Sequence, residues 1–451
     1  MPATQKELLL DAPVCPRKTP DFLDWVIGSL IVAGLFIMVH ASLAGGLFTA
    51  LALIWQGKYR FPVILRPSFL WAIMGSLFIV FRTILWFHYR SYPKAKFADA
   101  PSLTVIIPAF NEGPMVKKSV QSVMSANYPR KKLEVLVIDD GSQDSTWSHI
   151  QEAASENPDQ VRTIRFPFNR GKREALVEGF RLARGEVVVT IDSDSIISPD
   201  TLLAMVGPFS DPKVGAVAGK VKAYNRNEGI IPRMLHIRYI LSFDFLRAVQ
   251  STYGTVYCCP GALAAYRIKA VREVLDQWQN QTFLGVRCTY GEDRALTNYI
   301  LSQGYDTVYQ GSAEVYTVVP DSYKKLYRMY LRWERSYIRE TVHFSKILWK
   351  RPLWPRMISF FDLIITNLRY PVGWTAFGML IYISISDPFR LIFIATAIGV
   401  FSFLNALYYL YCERRWDFLY GVLYSYFAFL ALFWVFPYAL LTVRSRSWMT
   451  R

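Results

Sequence analysis

The sequence predicts an α/β domain inserted between two blocks of apolar helices, and three observations predict it. Long runs almost free of charge lie at both ends of the chain. Short apolar runs alternate with helical stretches between them. The acidic residues of that middle region fall just after its apolar runs.

Residues 1–21 are mostly polar and carry Pro2, Pro13, Pro16 and Pro20, which predicts a loose start. Residues 25–57 contain no charged side chain, and 67–89 contain only Arg82. A membrane span needs roughly 20 apolar residues, so each run is long enough, the first with tilt or with a break at Gly45-Gly46. Arg82 lies near one end of its run, where it either snorkels to the interface or faces a polar interior. The first run is too long for a signal peptide and lacks a clear cleavage site.

From about Ser91 the composition changes. Residues 103–108 read as a buried strand, followed by a loop to Glu112 and a helix to about Ser125. Residues 133–138, 161–165 and 187–191 read as three more strands, with a helix at 172–183 and Ser145 as the N-cap of another. Strands alternating with helices predict a parallel sheet covered on both faces. Glu112, Asp139, Asp140, Asp192 and Asp194 all follow carboxyl ends of these strands, the edge where open α/β sheets bind ligands. Neither G-x-G-x-x-G nor G-x-x-x-x-G-K-[ST] occurs, which weighs against a Rossmann cofactor and a P-loop.

Residues 323–349 mix basic side chains with aromatic and aliphatic ones, as an interfacial helix does. Three further apolar runs follow, at 358–386 (interrupted around Arg369-Tyr370-Pro371), 391–412 and 418–443. The dense basic flank before them predicts a cytoplasmic middle domain. The expected divisions are therefore 1–91 for the tail and two spans, 92–322 for the α/β domain, 323–357 for interface helices and 358–451 for the C-terminal spans.

The chain is 52% hydrophobic and only 19% charged, with a formal net charge of +16. Such a balance suggests anionic partners, either lipid headgroups or a phosphorylated substrate. No nucleic-acid motif accompanies the charge, so nucleic acid is not an expected partner. The five cysteines form no C-x-x-C pair and read as free thiols in a reducing compartment. Five scattered histidines support neither a zinc site nor a histidine-dependent triad.

Asp192-Ser193-Asp194 sets two carboxylates on one loop. Such a pair suits a hard divalent cation that also binds phosphate oxygens, the alternative being a solvated turn. Asp139-Asp140-Gly141 suits a base or ribose, or simply caps the next helix. Asn169-Arg170-Gly171-Lys172-Arg173 puts cations at a helix N-terminus, a conflict with the dipole that a diphosphate would resolve. Asp293 is a candidate general base, or an ordinary acidic residue in the first turn of a helix at 293–301. Arg332 supplies a cation suited to a diphosphate and Trp333 a flat face suited to a sugar, though an interfacial Arg-Trp pair reads the same way in isolation.

Together, Phe110-Asn-Glu112, Asp139-Asp-Gly-Ser-x-Asp144, Gly171-Lys-Arg173, Asp192-Ser-Asp194, Gly291-Glu-Asp-Arg294 and Arg332-Trp333 resemble the processive family 2 glycosyltransferases. That group includes hyaluronan, chitin, cellulose and rhizobial chito-oligosaccharide synthases. The resemblance covers residues 103–340. Gly291-Glu-Asp-Arg-Ala-Leu-Thr-Asn298 and Arg332-Trp-Glu-Arg-Ser-Tyr-Ile-Arg-Glu340 look most like hyaluronan synthases, whereas Cys258-Cys-Pro-Gly261 is nearer to the chito-oligosaccharide enzymes. Trp448-Met-Thr-Arg451 resembles the W-G-T-R segment of both groups, with Met449 at the glycine, and Met329 stands at the glutamine of Q-x-x-R-W.

The resemblance implies a GT-A type cytosolic glycosyltransferase domain between N- and C-terminal transmembrane helices, in a multi-pass protein of the cell membrane. It implies a UDP-sugar donor, with Asp139 or Asp140 at the uridine, Glu112 and Lys172 nearby, and Mg²⁺ or Mn²⁺ held by Asp194 with help from Asp192. Asp293 would be the base and Arg332 would stabilise departing UDP. Trp333, Gly261 and Glu292 would meet the acceptor, and Trp448, Thr450 and Arg451 would form a gating segment. The growing polysaccharide would cross the lipid bilayer through the helices. Three C-terminal spans would put Trp448 on the wrong side, so a re-entrant segment is expected, broken at Arg369–Pro371 or at Pro437. Hyaluronan synthesis from UDP-GlcNAc and UDP-GlcUA is the leading expectation. A chitin, chito-oligosaccharide or β-glucan synthase is the alternative within the class, and an inactive transferase-like export scaffold is the alternative outside it.

Overall fold

The computed structural model describes residues 22–55, 67–386 and 390–445. Two compact units divide the chain, the described residues of 1–89 and 363–426 making one and those of 90–362 and 427–451 the other.

The first unit is helical. Phe22–Trp55, Pro67–His88 and Arg390–Glu413 are each continuous helices, as the apolar runs predict. The Thr83 and Tyr408 hydroxyls lie 2.7 Å apart, and the Trp86 ring packs against Tyr408 and Tyr411. Arg82 donates to Thr366 Oγ1 at 3.0 Å, and its guanidinium lies 4.2 Å over the Phe78 ring, so protein groups meet the cation. The break expected at Arg369–Pro371 is absent: the helix Leu353–Ser386 runs through Pro371. Proline removes one backbone bond without ending a helix that packing sustains on both sides. Among the described residues no single helix is long and apolar enough to cross a membrane. The segments Trp416–Ala431 and Val435–Leu441, bent by 47° at the break between them, are so as a pair. Pro437, the other expected place, lies inside Val435–Leu441, and the break precedes that helix.

The second unit is built on an eight-stranded sheet. Its strands are β1 (Leu103–Ala109), β2 (Leu133–Asp139), β3 (Val161–Arg165), β4 (Val187–Ile191), β5 (Ser195–Ile197), β6 (Val214–Ala223), β7 (Leu263–Arg267) and β10 (Asp306–Thr317), in the order β3-β2-β1-β4-β7-β6-β10-β5. A separate hairpin pairs β8 (Thr282–Phe283) with β9 (Val286–Arg287). Every residue of β1, β4 and β6 is buried, so these strands carry the core.

The sheet is mixed rather than parallel, which corrects the sequence expectation. β1 to β4 are parallel, but β7 runs antiparallel between β4 and β6. The cause is the connection. After β6 the chain makes the helix Ile230–Ile240, a π-helical stretch Leu241–Arg247 and a short turn of helix, and so re-enters the sheet from the edge it left. Leu263, the first residue of β7, therefore pairs with Ile191, the last of β4. This register sets the Cys258–Gly261 segment beside Asp192.

Candidate active site

At the carboxyl edge the acidic residues divide into three groups. Asp139 is fully buried; its Oδ1 accepts from the Ser142 N–H at 3.0 Å and its Oδ2 lies 3.2 Å from Arg165 Nε. Asp140 accepts from the Arg170 and Gly171 N–H groups at 2.7 and 2.9 Å. Burial pushes the Asp140 carboxyl up to about 6, while those two donors oppose the rise. Neither aspartate caps the following helix. Ser145 holds the N-cap position without a side-chain bond; Asp144 Oδ1 accepts from the Thr146 N–H instead, and Thr146 Oγ1 accepts from the Glu112 and Gly113 N–H groups. Glu112 thus belongs to a turn pinned to the 139–146 loop. A cleft of about 460 Å³ opens here, lined by Phe110, Ser142, Gln143, Arg165, Phe168 and Asn169 among others.

Lys172 begins the helix Lys172–Leu182 and centres the second group. Its ammonium contacts Asp192 directly and lies 3.6 Å from Glu292 Oε1. Burial alone would lower its pKa; Asp192 and Glu292 outweigh burial and hold it above the usual value. A Cβ at Gly261 would lie 2.8 Å from Lys172 Nζ and 3.4 Å from Asp192 Oδ1, so a larger residue there would have to push the ammonium aside. Lys172, Gly261, Glu292 and Asp293 line one small cavity. The N-terminal cation conflict seen in the sequence is thus settled inside the protein. Lys172 is paired, and Arg173 turns away to donate to the Trp278 carbonyl at 2.6 Å and Gln281 Oε1 at 3.2 Å.

Asp293 is half-buried at the start of the helix Glu292–Ser302. Its Oδ1 accepts from the Arg294 N–H at 2.7 Å, and its Oδ2 lies 3.5 Å from the Cys258 thiol. Burial and then the neighbouring Glu292 charge raise its pKa, a direction suited to a general base. Burial, reinforced by Asp293, pushes the Cys258 thiol up to about 12, so it stays protonated.

Asp194 parts from Asp192. Its Oδ1 accepts from Thr317 Oγ1 at 3.1 Å and Ser195 Oγ at 3.3 Å. Among the described residues no three His, Cys, Asp or Glu side chains gather as a metal cage. A single half-buried aspartate nevertheless fits a hard cation that arrives with a diphosphate, because Mg²⁺ commonly takes one or two carboxylates plus phosphate oxygens.

Arg332 and Trp333 sit on the helix Tyr323–Ile347. Trp333 is 41% exposed, its ring packed against Tyr330 and Tyr239. Met329, at the family's glutamine position, is buried among Leu235, Leu326 and Val435, and its sulfur accepts from the Tyr239 hydroxyl at 3.9 Å. One turn beyond Trp333, Ser336 packs against Gly291, where a Cβ would overlap it. Arg339 then donates to the Tyr290 carbonyl at 2.6 Å. Glu340 accepts from Asn298 at 2.9 Å and from Gln281 at 2.8 Å. The helix therefore buttresses the corner that carries Glu292 and Asp293. Trp278, whose indole N–H donates to the Glu292 carbonyl at 3.0 Å, completes that support. The sequence gives no sign of Trp278, and it marks Arg173, Arg339 and Glu340 only as members of motifs, with no role of their own, since a residue that acts through another has no local signature. Trp448, Thr450 and Arg451 lie outside the described residues.

The mixed sheet carries a carboxylate pair and a shared lysine at its carboxyl edge, and comparison with known proteins identifies its fold as GT-A-like. Residues 104–275 match Glycosyl transferase family 2. An N-acetylglucosaminyltransferase of Azorhizobium caulinodans is 31% identical over 357 residues, 78% of this chain and 87% of that one. Hyaluronan synthase of Streptococcus pyogenes is 30% identical over 390 residues, covering 85% and 90%. An N-acetylglucosaminyltransferase of Rhizobium leguminosarum bv. viciae is 36% identical over 242 residues, so the chain spans only 57% of that relative's length. The chain belongs to glycosyl transferase family 2. A solved mannosyltransferase from Pyrobaculum calidifontis, in complex with GDP-mannose and Mn²⁺, shares the fold with a TM-score of 0.54 at 23% identity, covering 88% of this chain and 99% of that one.

Proposed function

We propose that this protein is a membrane-embedded, processive, inverting β-glycosyltransferase that polymerises UDP-sugars and exports the product. The observation that carries the reading is the gathering of Lys172, Asp192, Glu292 and Asp293 around Gly261. The uridine occupies the cleft beside Asp139, Asp140 and Glu112, and Lys172 grips the diphosphate. Asp293 takes the proton of an acceptor hydroxyl, whose oxygen attacks the anomeric carbon in line with the departing diphosphate. Inversion of an α-linked donor then gives a β-linkage. Arg332 steadies UDP as it leaves, and Trp333 stacks on the acceptor sugar. Mg²⁺ or Mn²⁺, held by Asp194 with the donor's phosphate oxygens, would neutralise charge on the leaving group, in keeping with the Mn²⁺ and GDP-mannose of the similarly folded mannosyltransferase. The apolar helices at both ends would carry the polymer across the bilayer from a cytoplasmic catalytic domain.

Hyaluronan is the proposed product, supported by the Streptococcus pyogenes enzyme's match over 85% of this chain. A chito-oligosaccharide product is the second reading, favoured by the higher identity of the rhizobial N-acetylglucosaminyltransferases, 36% and 37% over 242 and 243 residues. Purified protein in detergent, given Mn²⁺ and UDP-sugars singly and in pairs, decides between them. Polymer that requires both UDP-GlcNAc and UDP-GlcUA supports hyaluronan. Polymer from UDP-GlcNAc alone supports the second reading, and hydrolysis without any polymer overturns both.

A further inference from the structure

Glu292 is 94% buried by its 6% exposure, yet its two oxygens are treated differently. Oε1 faces Lys172 Nζ at 3.6 Å, while Oε2 has no hydrogen-bond partner among the described residues. Its backbone is fixed, since its carbonyl accepts from the Trp278 indole and Gly291 before it is packed under Ser336. The side chain cannot leave for solvent. Lys172 therefore stands between two carboxylates, Asp192 at the end of β4 and Glu292 beside Asp293.

Asp293 is faced by Glu292 and Arg294 on its own helix, by Lys172, by Cys258 and Cys259, and by Tyr266 on β7. Burial keeps both thiols and the phenol protonated, which leaves Glu292, Arg294 and Lys172 as the charges that matter. The Arg294 guanidinium is turned away, 5.0 Å over the Tyr337 ring. Lys172 is the cation that a bound diphosphate can engage.

We propose that Lys172 is a counter-ion shared by the donor side and the base side of the site, and that Glu292 is the positioning residue that makes Asp293 a stronger base when a nucleoside diphosphate is bound. This rests on the reading of Asp293 as the base. A diphosphate competes with Glu292 for the ammonium. The Glu292–Asp293 carboxyl pair then lacks the ammonium beside it, in a site with little water to screen it, and Asp293 holds a proton more tightly. In the step itself the acceptor O–H bond breaks and its proton passes to Asp293. The oxygen bonds to the anomeric carbon, and the carbon–diphosphate bond breaks with its electron pair leaving on UDP. Without donor the base is weaker, and the site is less able to activate stray water.

The test is calorimetry of UDP binding in buffers of different ionisation enthalpy, which reads the protons taken up. Wild type should take up more protons than Asp293→Asn, a difference that cancels the protonation of UDP itself. In Glu292→Gln that difference should fall by at least half, and the acid limb of the kcat profile should move down by about one pH unit. Glu292→Asp, which withdraws the carboxylate by one methylene, should lie between, and it decides the matter should Glu292→Gln bind no UDP. Equal uptake in wild type and Asp293→Asn overturns the proposal, as does uptake that neither Glu292 variant alters. Asp293→Asn that still transfers sugar overturns the assignment of the base. Asp293→Asn that is inactive, with uptake insensitive to Glu292, overturns the coupling alone.

Discussion

Asp140 holds the Arg170–Gly171 backbone with both of its oxygens, and Gly171 immediately precedes Lys172. A protonated carboxyl can no longer accept two amide bonds symmetrically, because one oxygen has become a donor. Its pKa near 6 means that the ionised clasp is present above pH 6 and is lost as pH falls through that value. UDP affinity should therefore weaken below about pH 6, and Asp140→Asn should show the weak affinity at all pH values. Calorimetric titrations from about pH 5 to about pH 8 check this; a flat profile in wild type counts against the clasp. Gly261 makes a separate prediction. A methyl group there meets the movable end of Lys172 rather than backbone, so the lysine gives way and its contact with Asp192 is strained. Gly261→Ala should cost about tenfold in UDP affinity, the equivalent of about 1.5 kcal/mol for a hydrogen bond to a charged group, with little change in Tm.

At the scale of the element, what could be read from the sequence depended on how each strand is buried. β1, β2 and β4 are runs of Val, Ile and Leu and announce themselves. β6 reads Val-Gly-Ala-Val-Ala-Gly-Lys-Val-Lys-Ala, which looks weak and half-polar, yet all of it is buried. Its glycines leave room for Ile300, Tyr305 and Leu263, and its lysines are accommodated because Lys220 pairs with Asp244 at 2.6 Å and Lys222 with Glu314 at 2.9 Å. Partners that distant in sequence leave no local signal, so β6, β7 and β10 went unseen and the sheet was read as parallel. Lys172, Asp192, Asp293 and Gly261, each carried by a short motif, are brought close to one another by the fold. The sequence is a worse guide to Trp278 and Glu340, which serve the site only through Glu292 and the Asn298–Gln281 bridge. Trp278→Phe should keep the ring packed near Phe180 while leaving the buried Glu292 carbonyl without its donor. We expect a stability loss of about 1–3 kcal/mol, with kcat reduced more than UDP affinity, measured by thermal melts and steady-state kinetics.

The whole molecule returns its C-terminal chain to the catalytic unit. The helix Val435–Leu441 packs on Tyr323–Ile347, where Leu432, Val435 and Ala439 share a buried cluster with Leu326, Met329 and Leu331. Polar contacts reinforce the apolar one: Arg335 donates to Thr442 Oγ1 at 2.8 Å, Tyr323 to the Ala431 carbonyl at 2.6 Å, and Tyr290 to the Ser445 carbonyl at 2.8 Å. The helix that carries Trp333 is thus clamped between the Gly291–Asp293 corner and this returning segment. Val435→Asp puts a charge into an apolar cluster, and burying an unpaired charge costs about 3 kcal/mol or more. The clamp should loosen on the Trp333 side first, because the donor cleft at Asp139 and Asp140 draws on β1, β2 and β3, far along the sheet from β10. Acceptor extension should fall sharply while UDP binding persists, which sugar incorporation and calorimetry on the same preparation would separate. Equal loss of both would mean that the C-terminal segment holds up the entire unit rather than the acceptor side of it.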